Sequence, residues 1–134
     1  WLPEDRPLYG RILLADDEPG VRYVCRAMLE AEGLVVVETE DGQEAVERYR
    51  DEGGTFDAVI LDITMPRMDG YKALEAIREM NPGARVVLTT GNLQDAEEVQ
   101  EVWGVPLLAK PYGSQELRAM VAGVLGRRSV TYPG

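Results

Sequence analysis

Ala58-Val59-Ile60-Leu61-Asp62-Ile63-Thr64-Met65-Pro66 is the stretch on which the fold turns. Residues 57–61 read as a short, strongly apolar strand. Such a strand is buried on both faces, as in a parallel sheet covered by helices on either side. Upstream, residues 12–15 and the β-branched run 34–38 read as two more strands. Downstream, residues 85–89 form a fourth and residues 106–109 a fifth, with Pro106 at its start suiting an edge position. Amphipathic stretches separate them. Pro19 suits a first helical turn with Asp17 as a candidate cap, and Val21, Val24, Cys25, Met28 and Leu29 then recur on one helix face until Gly33. Asp41-Gly42-Gln43-Glu44 has the spacing of a capping box, and a helix runs from it to about Arg50 before Gly53-Gly54. A third helix, with Leu74, Ile77 and Met80 inward, ends at Asn81-Pro82-Gly83. Residues 94–102 form a weak, acidic fourth helix. Ser114 can cap a fifth, with Leu117, Met120, Val121, Val124 and Leu125 on one face. The alternation is (βα)5, which predicts an α/β fold: a doubly wound parallel five-stranded sheet with right-handed crossovers.

Length and composition agree with one domain. The chain has 134 residues, 45% hydrophobic and 28% charged, and no apolar run approaches a membrane span. Acids outnumber bases 24 to 14, a net charge of −10, which argues against binding nucleic acid or an anionic membrane. The single Cys excludes an internal disulfide, and its place on the first helix face makes it a core residue. The absence of His removes His-based zinc sites, catalytic triads and His general bases. The sequence starts Trp1-Leu2-Pro3 without Met or a signal peptide, so we read it as a domain cut from a longer protein in preference to a processed chain. We divide it into an N-terminal extension 1–9, a domain 10–127 and a tail 128–134; residues 126–134 are too few for an output domain.

In an open parallel sheet the loops after the strands carry the site. That rule brings together Asp16 and Asp17, Asp62, Thr89 or Thr90, and Lys110. Carboxylates packed this closely repel one another, and a hard divalent cation such as Mg²⁺ relieves the repulsion with oxygen ligands. A lysine and a hydroxyl can hold phosphoryl oxygens, and an Asp can attack phosphorus to give an acyl phosphate. Phosphoryl transfer rests mostly on positioning and charge neutralisation, so it needs no His here.

Four motifs carry a family resemblance: Leu13-Leu14-Ala15-Asp16-Asp17-Glu18, Val59-Ile60-Leu61-Asp62-Ile63-Thr64-Met65-Pro66, Met68-Asp69-Gly70 and Lys110-Pro111-Tyr112. Together and in this order they make the chain resemble a receiver domain of a two-component response regulator, from about Gly10 to Arg127. The resemblance implies a flavodoxin-like sheet of order 2-1-3-4-5. It implies that Asp62 is the phosphoacceptor, that Asp17 binds Mg²⁺ directly with Asp16 helping, and that the Thr64 carbonyl is a further ligand alongside Asp62; Mn²⁺ could substitute. Lys110, ahead of a cis bond to Pro111, would pair with a phosphoryl oxygen. Thr90 would be the hydroxyl that follows the phosphoryl group, with Thr89 as the alternative. It also implies a cytoplasmic signal-transduction phosphoprotein acting in a phosphorelay. The donor would be a partner phosphohistidine on a histidine kinase or phosphotransfer domain, and hydrolysis would be tuned by Thr64 and Asn92. The output would be a shift in the face of helix four, strand five and helix five, a face also suited to a homodimer.

Two departures stand out. The interval from Thr90 to Lys110 is short for the family, and Leu107 stands where the family carries a switch aromatic. Both occur in receivers attached to hybrid sensor histidine kinases. Such a domain is not a stand-alone enzyme, though it would catalyse its own phosphorylation and autodephosphorylation. Two rival readings make different demands on the sequence. A phosphohydrolase with an Asp nucleophile would carry a second Asp at position 64, where Thr64 stands. A phosphorylation-independent scaffold would have lost an acid or the lysine of the site. Trp103 suits either the core or a partner anchor, Tyr112 reads as packing structurally, and the acidic stretch 95–101 as a solvated face.

Overall fold

The computed structural model describes residues 7–129. Five strands, β1 (Arg11–Ala15), β2 (Val35–Thr39), β3 (Ala58–Asp62), β4 (Val86–Thr90) and β5 (Leu107–Ala109), alternate with α1 (Pro19–Ala31), α2 (Gly42–Asp51), α3 (Gly70–Met80), α4 (Asp95–Glu98) and α5 (Ser114–Ser129). All neighbouring strands pair parallel, in the order β2-β1-β3-β4-β5. The expected α/β architecture and strand order are therefore the observed ones. Every residue of β3 and β4 is buried, as a two-sided cover requires. The parts of the expected extension and tail at 1–6 and 130–134 lie outside the described residues.

Strand alternation divides the core into two layers. Leu13, Val59, Leu61 and Leu88 pack on the side of Ala45, Tyr49, Leu74 and Ile77 from α2 and α3. Ile12, Leu14, Ile60 and Val87 pack on the side of Cys25 and Leu29 from α1 and Leu117, Val121 and Leu125 from α5. A fully buried aliphatic side chain contributes about 1.5–3 kcal/mol, so the central strands supply much of the driving force for folding.

Several local expectations need correction. Val24 and Met80, expected on inward faces, are 47% and 41% exposed. The buried stripe of α1 is the narrower Cys25–Leu29 pair, and Met80 is the last residue of α3, where the chain leaves the sheet. Asp17 does not cap α1: the N-cap is Glu18, without a side-chain bond, and Asp16 accepts the Glu18 N–H at 2.9 Å instead. Ser114 is the first residue of α5 rather than a residue ahead of it. The fourth helix is a single α turn, continued by a π-helical turn over Val99–Trp103.

Candidate functional site

The sheet brings the expected groups to one edge. Ala15 of β1 is in register with Leu61 of β3, so Asp16 and Asp62, one residue on in each strand, are neighbours. Lys110 follows β5 directly; its N–H donates to the Thr90 carbonyl at 2.7 Å, and its bond to Pro111 is cis, as the resemblance implied. Asp16 and Asp62 are buried, whereas Asp17 and Glu18 are exposed at the rim.

Lys110 Nζ lies 3.0 Å from Asp16 Oδ2, 3.1 Å from Asp62 Oδ2 and 3.1 Å from Glu18 Oε1. Asp16, Asp17, Glu18 and Asp62 each offer a carboxylate oxygen, all within 4.8 Å of one another. Burial pushes the Asp62 carboxyl up to about 6; Lys110 and the Thr64 N–H pull it back, and the Asp16 charge adds to the rise. Burial works against the charge of Lys110, but hydrogen bonds to Asp16, Glu18 and Asp62 hold its ammonium well above the ordinary lysine range. Both shifts favour bound protons, that of Asp62 chiefly through burial and that of Lys110 through the three carboxylates around it. A small all-oxygen cluster with surplus negative charge fits a hard divalent cation. Glu18 is a site residue that sequence reasoning passed over. It follows Asp16-Asp17 in the sequence, but only the fold shows that the N-cap position of α1 brings it to Lys110.

The backbone behind Asp62 is held from the α3 side. Gly70 N–H donates to the Ile63 carbonyl at 2.8 Å, and a Cβ on Gly70 would lie 2.4 Å from the Asp62 carbonyl oxygen. Gly70 is therefore the contact that lets α3 abut the strand end. Asp69 caps α3 by accepting the Lys72 N–H at 2.9 Å. In the same loop Arg67 adopts φ 63° and sets its guanidinium on Asp41, with contacts of 2.9 and 3.2 Å. Asp41 also accepts the Glu44 N–H at 2.8 Å, so the expected cap of α2 is present. Partial burial opposes it, but Arg67 and that N–H hold the Asp41 carboxyl below the usual range.

Thr89 and Thr90 are both buried at the end of β4. The Thr90 hydroxyl donates to Asp95 Oδ2 at 2.6 Å and accepts the Asn92 N–H at 3.0 Å, which ties it to the β4–α4 loop. Asp95 thereby leaves the expected solvated face, while Glu97, Glu98 and Glu101 stay on it. Trp103 packs against the α2–α3 core layer and stacks on Tyr71, with ring centroids 5.3 Å apart. Tyr112 packs against the other layer and shares a hydrogen bond with buried Cys25, whose thiol burial pushes up to about 11. Among the described residues no helix is long and apolar enough to cross a membrane.

Known proteins show the same combination. The sequence profile described as "Response regulator receiver domain" matches residues 12–122. A probable transcriptional regulator, ycf27 of Guillardia theta, is 34% identical over 118 residues, 87% of this chain and 46% of its own. The chain spans about half the length of this relative and of the CpxR and ResD regulators. The solved receiver domain of the hybrid histidine kinase CckA is 35% identical, with a TM-score of 0.74 over 87% of this chain and 99% of that one. The response regulator TrrA of Thermotoga maritima, solved in complex with Mg(2+)-BeF, is 31% identical, with a TM-score of 0.78 over 86% and 98% of the two chains. The matched profile covers all of the sheet but Arg11 and every acid gathered around Lys110, and the chain belongs to the response regulator receiver domains of two-component signal transduction.

Proposed function

We propose that the domain, residues 10–127, accepts a phosphoryl group on Asp62 from a phosphohistidine in trans and so acts as one station of a phosphorelay. The observation that carries this reading is the single lysine ammonium placed 3.0–3.1 Å from three carboxylates, with Asp62 among them at the end of a buried strand. An Asp62 oxygen would form the new O–P bond as the P–N bond of the donor breaks, the electron pair returning to the imidazole nitrogen. Lys110 would move from carboxylate oxygens to a phosphoryl oxygen, and Thr90 would donate to another. Asp16, Asp17, Asp62 and the Thr64 carbonyl would hold Mg²⁺. When bound, that ion supplies charge neutralisation for the transferring group. The chain contains no His, so the donor imidazole belongs to another domain or protein. The likeness to the CckA receiver supports a place beside a hybrid histidine kinase.

Intact mass after treatment with a small-molecule phosphodonor and Mg²⁺ tests the proposal. The wild type should gain one phosphoryl group, and Asp62→Asn or a metal-chelated sample should gain none. An unchanged wild-type mass with several donors would favour the scaffold reading and overturn this one.

A further inference from the structure

Residues 63–69 join β3 to α3 and carry the Thr64 carbonyl. The backbone fixes this loop at both ends. Ile63 N–H donates to the Thr89 carbonyl at 2.9 Å, and the Ile63 carbonyl accepts the Gly70 N–H at 2.8 Å. Met65 is buried in the α2–α3 core layer. The stretch beyond it is strained. Met68 N–H donates to the Pro66 carbonyl at 2.6 Å, which closes a three-residue turn around Arg67 at φ 63°. A γ-turn with positive φ is rare, and glycine would enter it at the least cost. Among the described residues Arg67 is the only one besides glycines with positive φ. Such strain persists where the surroundings over-determine the backbone, and it clusters at working sites.

The surroundings that hold this turn come from the loop after β2. Gly42 N–H donates to the Met68 carbonyl at 3.1 Å, and a Cβ on Gly42 would lie 2.2 Å from that oxygen. Beside it, both Asp41 oxygens take the Arg67 guanidinium, the two-point geometry that fixes direction as well as distance. The Asp41 side chain is 13% exposed and that of Arg67 58%, so the carboxylate is the anchor and the arginine the part that is held. The same support reaches the loop after β1, because the Thr39 carbonyl at the end of β2 accepts the Asp16 N–H at 3.3 Å. The loops that carry Asp16 and Thr64 are thus both tied to the segment that follows β2.

We propose that Arg67 is a positioning residue for the cation: its ion pair with Asp41 holds the strained turn, and the turn sets where the Thr64 carbonyl stands relative to Asp16 and Asp62. The proposal rests on these residues being the Mg²⁺ ligands. It predicts an effect opposite in sign to that of charge alone. Removing a cation near a divalent-ion site would, by Coulomb repulsion alone, tighten binding. Arg67→Met should instead weaken Mg²⁺ binding by about threefold, within the worth of a half-exposed ion pair. Arg67→Gly, which removes the strain together with the ion pair, should weaken it as much without lowering the urea midpoint in chelator. Asp41→Asn keeps a good N-cap for α2 and should match Arg67→Met. The Arg67→Met, Asp41→Asn double variant should be no weaker than either single one, since both remove the same contact. Calorimetric titration of the whole chain with Mg²⁺ alone measures these affinities. In the metal-free protein the Thr64 amide resonance should move in every variant. Unchanged or tighter Mg²⁺ binding by Arg67→Met would overturn the proposal, as would losses that add in the double variant, or a Thr64 amide that stays at the parent's position. A parent chain that binds no Mg²⁺, or whose binding survives Asp62→Asn intact, would instead bring down the cation reading on which the proposal rests.

Discussion

The helices on either side of Asp62's sheet end, α3 and α4, are built to different standards. α3 has eleven residues, an Asp69 cap, and Gly70, Ala73, Leu74 and Ile77 buried. α4 has four residues, no side-chain cap and nothing buried, and runs straight into a π turn. One neighbour fixes the backbone that carries the acceptor; the other has little to hold it but a hydroxyl and the anchoring of Val99. Segments with few buried contacts open at low cost, so the same sheet end presents a rigid wall and a yielding one.

The most severe way to break that contrast is Gly70→Ala. Its methyl would meet the Asp62 carbonyl at 2.4 Å, and backbone on both sides leaves no room to give. We expect a loss of about 3 kcal/mol in urea unfolding, together with slowed phosphoryl acceptance. Next comes Asp62→Asn. The Asp62 carboxyl holds its proton up to about 6 in the folded chain against an ordinary 3.8. The folded state therefore binds more protons between these values, and its stability falls as pH rises through them. Without divalent cation, Asp62→Asn should stabilise the protein by roughly 2 kcal/mol at pH 8 and by almost nothing below pH ~4. Thermal melts across that range give the sign, and a gain that persists in acid would contradict it. The smallest effect sharpens the comparison. Asp69→Ala should cost about 1 kcal/mol for the lost cap of α3. Gln94→Ala, at the N-cap of α4 where no side-chain bond exists, should leave the unfolding midpoint unchanged.

The same division separates what could be read from sequence from what could not. β3 and the acids at the strand ends were legible because apolar runs and strand-end positions are local patterns. The gathering of Asp16, Asp62 and Lys110 followed from topology alone. Glu18 and Gly70 were not legible in their roles. The reach of Glu18 to Lys110 spans 92 positions, and the contact of Gly70 with Asp62 depends on where a whole helix docks. Val24 and Met80 misled because helical spacing gives the angle of a stripe and not its width. The shortness of α4 and the departure of Asp95 from the solvated face depend on a hydroxyl presented by β4.

β5 has a further consequence. It spans three residues at the edge of the sheet, and Pro106 precedes it with no N–H to offer while lending its carbonyl to Leu88 at 3.0 Å. A strand this short, entered through a proline, is a poor template for another strand, so this border of the sheet is protected from edge-to-edge aggregation. Two copies meeting on this side would have to engage through side chains of the flanking helices, a geometry that does not propagate into a fibre.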